Sequence, residues 1–219
     1  MRRTVRPAFL ASVALVTTCL TVGVPPYALA SQRSERVYVQ PLGTISARRV
    51  GLVAAGLRAF FAMDVRVLKR RRLPKSAWYP PRRRYRADRL LDYLSARMPK
   101  GGTRILGLTD RDISTSNGKH KDWGVLGLAT LDGRACVVSS YRARKKSRGR
   151  KHVDERLAKV AVHEMGHTLG LPHCPTRRCL MEDARGKVVT TDRERDICGK
   201  CRTKLRRRGY RLPKSKMPW

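Results

Sequence analysis

The stretch His163-Glu164-Met165-Gly166-His167-Thr168-Leu169-Gly170-Leu171-Pro172-His173-Cys174 constrains this chain more than any other. His163 and His167 are four apart, so on a helix they share one face, a turn from each other. Two imidazole nitrogens placed that way can reach one metal at about 2.0–2.1 Å. Gly170 can take the left-handed backbone that ends a helix, and Pro172 cannot continue one. After the turn, His173 can come back as a third ligand from outside the helix. Glu164 directly follows the first ligand. It is poorly placed to ligate but well placed to take a proton from a water in the open fourth position. That open position separates a catalytic zinc from a structural one. The remaining histidines, His120 and His152, lie in polar, basic stretches without partners at ligand spacing and read as solvated side chains.

A second cluster follows. Cys174 and Cys179 are separated by four residues, and Cys198 and Cys201 by two. Both spacings suit thiolate pairs gripping one tetrahedral zinc, and a closed four-sulfur site is structural. The alternative, open to an exported chain, is two disulfides. Zinc is favoured because a C-x-x-C pair closes a very tight ring. The reading is thus two zinc ions, one catalytic and one structural. Cys136 lies in a strand-like run and reads as a buried free thiol.

The string from His163 to Cys174, with Cys179, Met181 and Cys198-x-x-Cys201 after it, resembles the archaemetzincin signature of metzincin-type zinc metallopeptidases. The resemblance implies that His163, His167 and His173 bind the catalytic zinc and that Glu164 is the general base. It implies that Met181 forms the methionine turn beneath the metal, and that Cys174, Cys179, Cys198 and Cys201 bind the second zinc. Weaker similarity extends upstream through Leu106–Asp110, Gly127–Ala129 and Val137–Ser140. The implied fold is α/β (α+β): a mixed twisted sheet of about five strands, an active-site helix and a small zinc-pinned C-terminal subdomain, residues 174–219. The resemblance also implies that Gly124 to Thr130 is an edge strand that binds peptide. An open edge does offer a row of unpaired amides and carbonyls, and Gly124 and Gly127 leave room for close approach.

Residues 1–30 read as a secretory signal: Arg2, Arg3 and Arg6, an uncharged apolar run from Phe9 to Val24, then Ala28-Leu29-Ala30 before Ser31. The expectation is an exported, monomeric mature domain, 31–219, without a transmembrane helix. The formal net charge of the 219 residues is +34, and removing three arginines with the signal leaves +31. Arginine and lysine cluster at 69–72, 82–86, 142–151 and 206–208. Such a field attracts polyanions without sequence preference, while aromatics at 6% offer little for base stacking.

Along the chain, Arg36–Val39 and Val65–Leu68 read as parallel strands joined by a helix capped by Thr44 or Ser46 and running to about Met63. Residues 69–87 read as a loop, and Asp88 as the cap of a helix reaching Met98. Ile105–Leu108, Val125–Thr130 and Ala135–Ser139 read as strands, the last two joined by an Asp132-Gly133 hairpin turn. Residues 142–151 read as a charged loop. The active-site helix starts near Asp154, with Leu157, Ala161, Met165 and Leu169 on its core face.

The function this supports is zinc-dependent peptide-bond hydrolysis of a peptide or protein substrate. Tyr141 and Tyr210 are oxyanion-assisting candidates by residue type alone. The alternative is an exported polycationic protein that binds nucleic acid or an anionic surface and uses zinc only for stability.

Overall fold

The structure is a computed structural model that describes residues 35–210 and 212–213. Residues 1–30, read above as a secretory signal, lie outside the described residues. Strand alternation builds the main sheet and covers both its faces. Val37 and Val39 of β1 (Arg36–Leu42) pack with α1 (Ala47–Phe61), while Tyr38 packs to the other side. β2 (Asp64–Val67) returns parallel to β1, with Val37 opposite Val65. Ser46 caps α1, its hydroxyl accepting from Arg49 N–H at 3.4 Å.

The stretch 69–87 is not all loop. It holds β3 (Trp78–Tyr79) and β4 (Arg84–Arg86), which join β6 (Ile113–Asn117) and β7 (His120–Val125) in a second sheet ordered β3-β4-β6-β7. These strands are too short to show a period in sequence; Tyr85 N–H donates to Asp112 C=O at 2.9 Å, a contact made across the fold. Asp88 sits in the first turn of α2 (Ala87–Ser95) rather than at its cap, which is Arg86, and the helix stops three residues short of Met98.

β5 (Arg104–Thr109) lies parallel to β1, and β9 (Ala135–Ser139) parallel to β5. β8 (Gly127–Ala129) adds antiparallel to β9 across the Asp132-Gly133 turn, giving the order β2-β1-β5-β9-β8. This is the expected five-stranded mixed sheet. Leu106, Leu108, Cys136 and Val138 face α1 and α4 (Arg150–Thr168); Ile105, Ala135 and Val137 face α2. A mostly parallel sheet buried on both faces follows from such crossovers. Among the described residues, no helix is long and apolar enough to cross a membrane.

Between β9 and α4 lies the four-residue α3 (Ser140–Ala143), so the charged stretch is part helix and α4 begins four residues before Asp154. The core face of α4 is as expected, with Leu157, Ala161 and Met165 buried. Its buried charges are all compensated except Glu164. Asp154 meets Arg48 and Arg49, and Lys159 reaches Glu155 at 2.6 Å and Thr191 C=O at 3.0 Å. Arg156 grips Asp192 of α5 (Thr190–Arg193) through two bonds of 2.6 and 2.7 Å. His152 is buried too and bonds Asp192 at 2.7 Å, so it is not a solvated histidine; its partner lies forty residues along the chain. His120 is exposed, as expected.

Asp192→Asn is expected to cost about 3–5 kcal/mol at neutral pH, because it leaves Arg156 buried without its counterion. The bonds from Arg156, then from His152, hold the Asp192 carboxyl down to about 2 against an ordinary 3.8. A depressed carboxylate stabilises the fold above its unfolded value and loses that contribution as pH falls through its folded value. Denaturation of metal-stripped wild type and variant should therefore differ at pH 7 and converge toward pH 2.

Candidate metallopeptidase centre

α4 carries His163 and His167 on one face and ends one residue after His167. Gly170 has φ +86°, and the Gly170 and Leu171 N–H groups close back on the carbonyls of His167 and Gly166 at 2.9 and 3.0 Å. This is a Schellman termination, and it needs the left-handed residue. The turn aims the Leu171 carbonyl at His167, whose Nδ1 bonds it at 2.7 Å. His163 Nδ1 bonds the Leu180 carbonyl at 2.6 Å. A carbonyl can only accept, so each Nδ1 carries the proton and each Nε2 presents a lone pair. The two Nε2 atoms face each other across 3.0 Å. His173 swings in after Pro172, its ring 4.8 Å from that of His167 and 5.4 Å from that of His163. One nitrogen from each of the three rings lies within 4.8 Å of the others.

This donor set fits a zinc ion. Two neutral imidazoles with converging lone pairs repel unless a cation sits between them, and ligands at about 2.05 Å in a tetrahedron stand about 3.3 Å apart. Burial, then the neighbouring His167, drives the His163 imidazole down to about 3, so it stays neutral and free to ligate. The carbonyl bonds fix ring orientation in the manner of outer-shell partners at metal sites.

Glu164 is buried beside the triad and makes no hydrogen bond or ion pair among the described residues. Burial pushes its carboxyl up to about 8. It lies against β8: a Cβ on Gly127 would fall 2.6 Å from Glu164 Cγ. The glycine thus makes room for the carboxylate, whereas sequence reasoning assigned that room to substrate. Gly124 likewise accommodates the Arg142 guanidinium, which Asp112 holds at 2.8 Å. Met181 is fully buried beneath the helix, and a Cβ on Gly166 would meet its Sδ at 2.6 Å. The role of Gly166 was not read from the sequence, although its place between the ligands is the signal that could have shown it.

The four cysteines form a second centre. Cys174 and Cys198 Sγ are 3.7 Å apart, and Cys179 and Cys201 Sγ 3.8 Å. All four sulfurs lie within 4.8 Å of one another. A tetrahedron of sulfurs at about 2.3 Å from zinc has edges of about 3.8 Å, whereas a disulfide needs about 2.05 Å. Burial pushes the Cys179 thiol up to about 11 and Cys201 higher still, so these sulfurs ionise only around a cation. α6 (Gly199–Arg207) starts at this centre, with Cys198 as its cap and Cys201 in its first turn.

The triad opens into a cleft of about 920 Å³, lined along one wall by Gly127, Leu128 and Ala129. Among the described residues β8 is the last strand of its sheet, with no strand paired to its outer edge. Neither tyrosine lines this cleft. Tyr141 is exposed under Arg144, and Tyr210 is buried with its hydroxyl accepting from Arg104 at 3.0 Å.

Fold and site together define a zinc-dependent metallopeptidase. The sequence profile of Peptidase family M54 matches residues 64–207, and the chain belongs to that family. Archaemetzincin from Halobacterium salinarum is 33% identical over 173 residues, covering 76% of this chain and 96% of the relative. Crystal structures of archaemetzincins from Methanopyrus kandleri and Archaeoglobus fulgidus, the latter complexed with malonate, both superpose with a TM-score of 0.66 at 30% identity. They cover 80% and 77% of this chain and 94% and 99% of their own.

Proposed function

We propose that this zinc peptidase cuts peptide bonds in the cleft beside β8, with Glu164 as general base and His163, His167 and His173 as the ligands of the catalytic ion. The observation that carries this reading is the pair of opposed Nε2 lone pairs, 3.0 Å apart, next to a buried carboxylate that has no hydrogen-bond partner among the described residues. When bound, zinc supplies a Lewis acid that polarises a carbonyl and lowers the pKa of water toward about 7. The free edge of β8 holds the substrate as an added strand through its amides and carbonyls. Glu164 takes a proton from the attacking water and returns it to the departing amine nitrogen. A second, structural zinc is held by Cys174, Cys179, Cys198 and Cys201, with Met181 packed under the triad. Export of the mature chain after Ala30 belongs to the same reading and rests on the composition of residues 1–30.

The test is mass-spectrometric profiling of a peptide library with zinc-loaded protein beside metal-stripped protein. New peptide termini that appear only with zinc support the reading; an unchanged library with two zinc ions bound per chain refutes it.

Gly127→Ala is a sharper probe of the geometry. The added methyl forces the Glu164 side chain aside, and a displacement of about 1 Å can cost about 10²-fold in turnover. Stability should fall as well, because the clash reaches Cγ of a buried side chain and not only its carboxyl end; a thermal melt measures that part separately. Turnover equal to wild type would show that the position of Glu164 is irrelevant.

A further inference from the structure

Four acidic side chains are buried among the described residues: Glu35, Asp154, Glu164 and Glu194. A carboxylate leaves water at high cost unless a cation or donor compensates it. Glu35 is met by Arg104, and Asp154 by Arg48 and Arg49. Glu164 and Glu194 take no hydrogen bond or ion pair among the described residues, and both line the cleft. The reaction accounts for Glu164 but has no use for Glu194.

Glu194 is 2% exposed and follows α5 directly. It shares the cleft wall with Val160, Val188 and Thr191, and Val160 lies one turn before His163 on α4. The buried ammonium of Lys159 bonds Glu155 and the Thr191 carbonyl, not Glu194. Burial pushes the Glu194 carboxyl up to about 8, with the Lys159 charge pulling the other way across space. Acid is scarce in a chain with 50 lysines and arginines against 16 acids, so an unpaired one facing the cleft is not a solvated surface charge.

Resting on the peptidase reading above, we propose that Glu194 is a specificity residue whose pocket receives a lysine or arginine side chain of the peptide substrate near the scissile bond. Val160 and Val188 offer apolar surface to the methylene stem, and Glu194 receives the charged head, the usual division of a long basic side chain. Of the basic groups that line the same cleft, Arg142 is paired with Asp112, and Lys145 and Arg185 are exposed to water, so none of them is a buried cation beside Glu194.

The experiment compares kcat/KM for peptides identical except for lysine, norleucine or glutamate at positions flanking the cut. Wild type should favour lysine over norleucine by about 10- to 100-fold at one position, the range for a charged hydrogen bond made out of water. Glu194→Gln should remove most of that preference. Val188→Lys keeps Glu194 but supplies an ammonium from the chain itself, and should remove it as well. No lysine preference in wild type, or a preference that survives both variants, overturns the proposal. If wild type cuts no peptide at all, the peptidase reading fails. Calorimetry on metal-free protein then decides for Glu194: tighter binding of lysine amide than norleucine amide supports the pocket, and equal binding overturns it.

Discussion

Glu164→Ala should keep both zinc ions and lose turnover by about 10²- to 10⁴-fold, the range for removing a positioned general base. No ligand is deleted, and the bonds from His163 and His167 to the Leu180 and Leu171 carbonyls do not involve Glu164. The fold should not suffer either, since the variant removes a buried carboxyl that makes no hydrogen bond among the described residues. Burial raises that carboxyl to about 8 in the metal-free protein, and a divalent cation in the adjoining triad pulls it down again. In wild type, turnover should therefore rise with pH through the ionisation of Glu164, and the residual rate of Glu164→Gln should lack that limb. Metal analysis, a thermal melt and kcat against pH separate the base role from a structural one. A zinc-replete variant with turnover within tenfold of wild type would exclude Glu164 as the base.

The clustering of the three histidines was legible in the sequence because it is local: two histidines a helical turn apart, a glycine to stop the helix and a third histidine just beyond. The five-stranded sheet was legible where apolar residues run continuously, as at 105–108 and 135–139. The second sheet was not. Its β6 strand, Ile113-Ser114-Thr115-Ser116-Asn117, has a single large apolar residue, and only the Asn117-Gly118 pair marks the hairpin with β7. The Leu171 and Leu180 carbonyls that orient the ligands are backbone atoms, which no residue pattern reveals. His152 and Glu194 were beyond reach for a related reason. Whether a buried polar group has a partner depends on which distant segment folds against it: Asp192 bonds the first, and among the described residues no donor bonds the second.

Cys201→Ala should lower the zinc count from two per chain to one and loosen the segment around the four sulfurs, α6 above all. Asp192 stays tied to His152 and Arg156, and Tyr210 to Arg104, but α6 itself hangs largely on this centre. α6 is nine residues long, and within it only Cys201 and Leu205 are buried. A structural zinc site contributes folding free energy directly, about 10–16 kcal/mol in isolated zinc-finger peptides. A loss here of even about 5 kcal/mol would lower the melting temperature by roughly 10–20 °C for a chain of this size. The effect should also reach the catalytic centre. Cys174 follows His173 directly, and Leu180, whose carbonyl orients His163, follows Cys179. Freeing that segment removes a partner of one ligand and the anchor of another, so affinity for the remaining zinc should fall by about 10- to 100-fold. Chelator and reductant distinguish this from the disulfide alternative. With zinc at the four sulfurs, stripping metal lowers the melting temperature of wild type as far as the variant's or further, and reductant alone leaves it unchanged. If reductant destabilises the chain and chelator does not, the sulfurs are bonded to each other, and the 3.7 and 3.8 Å separations would have to close to disulfide length.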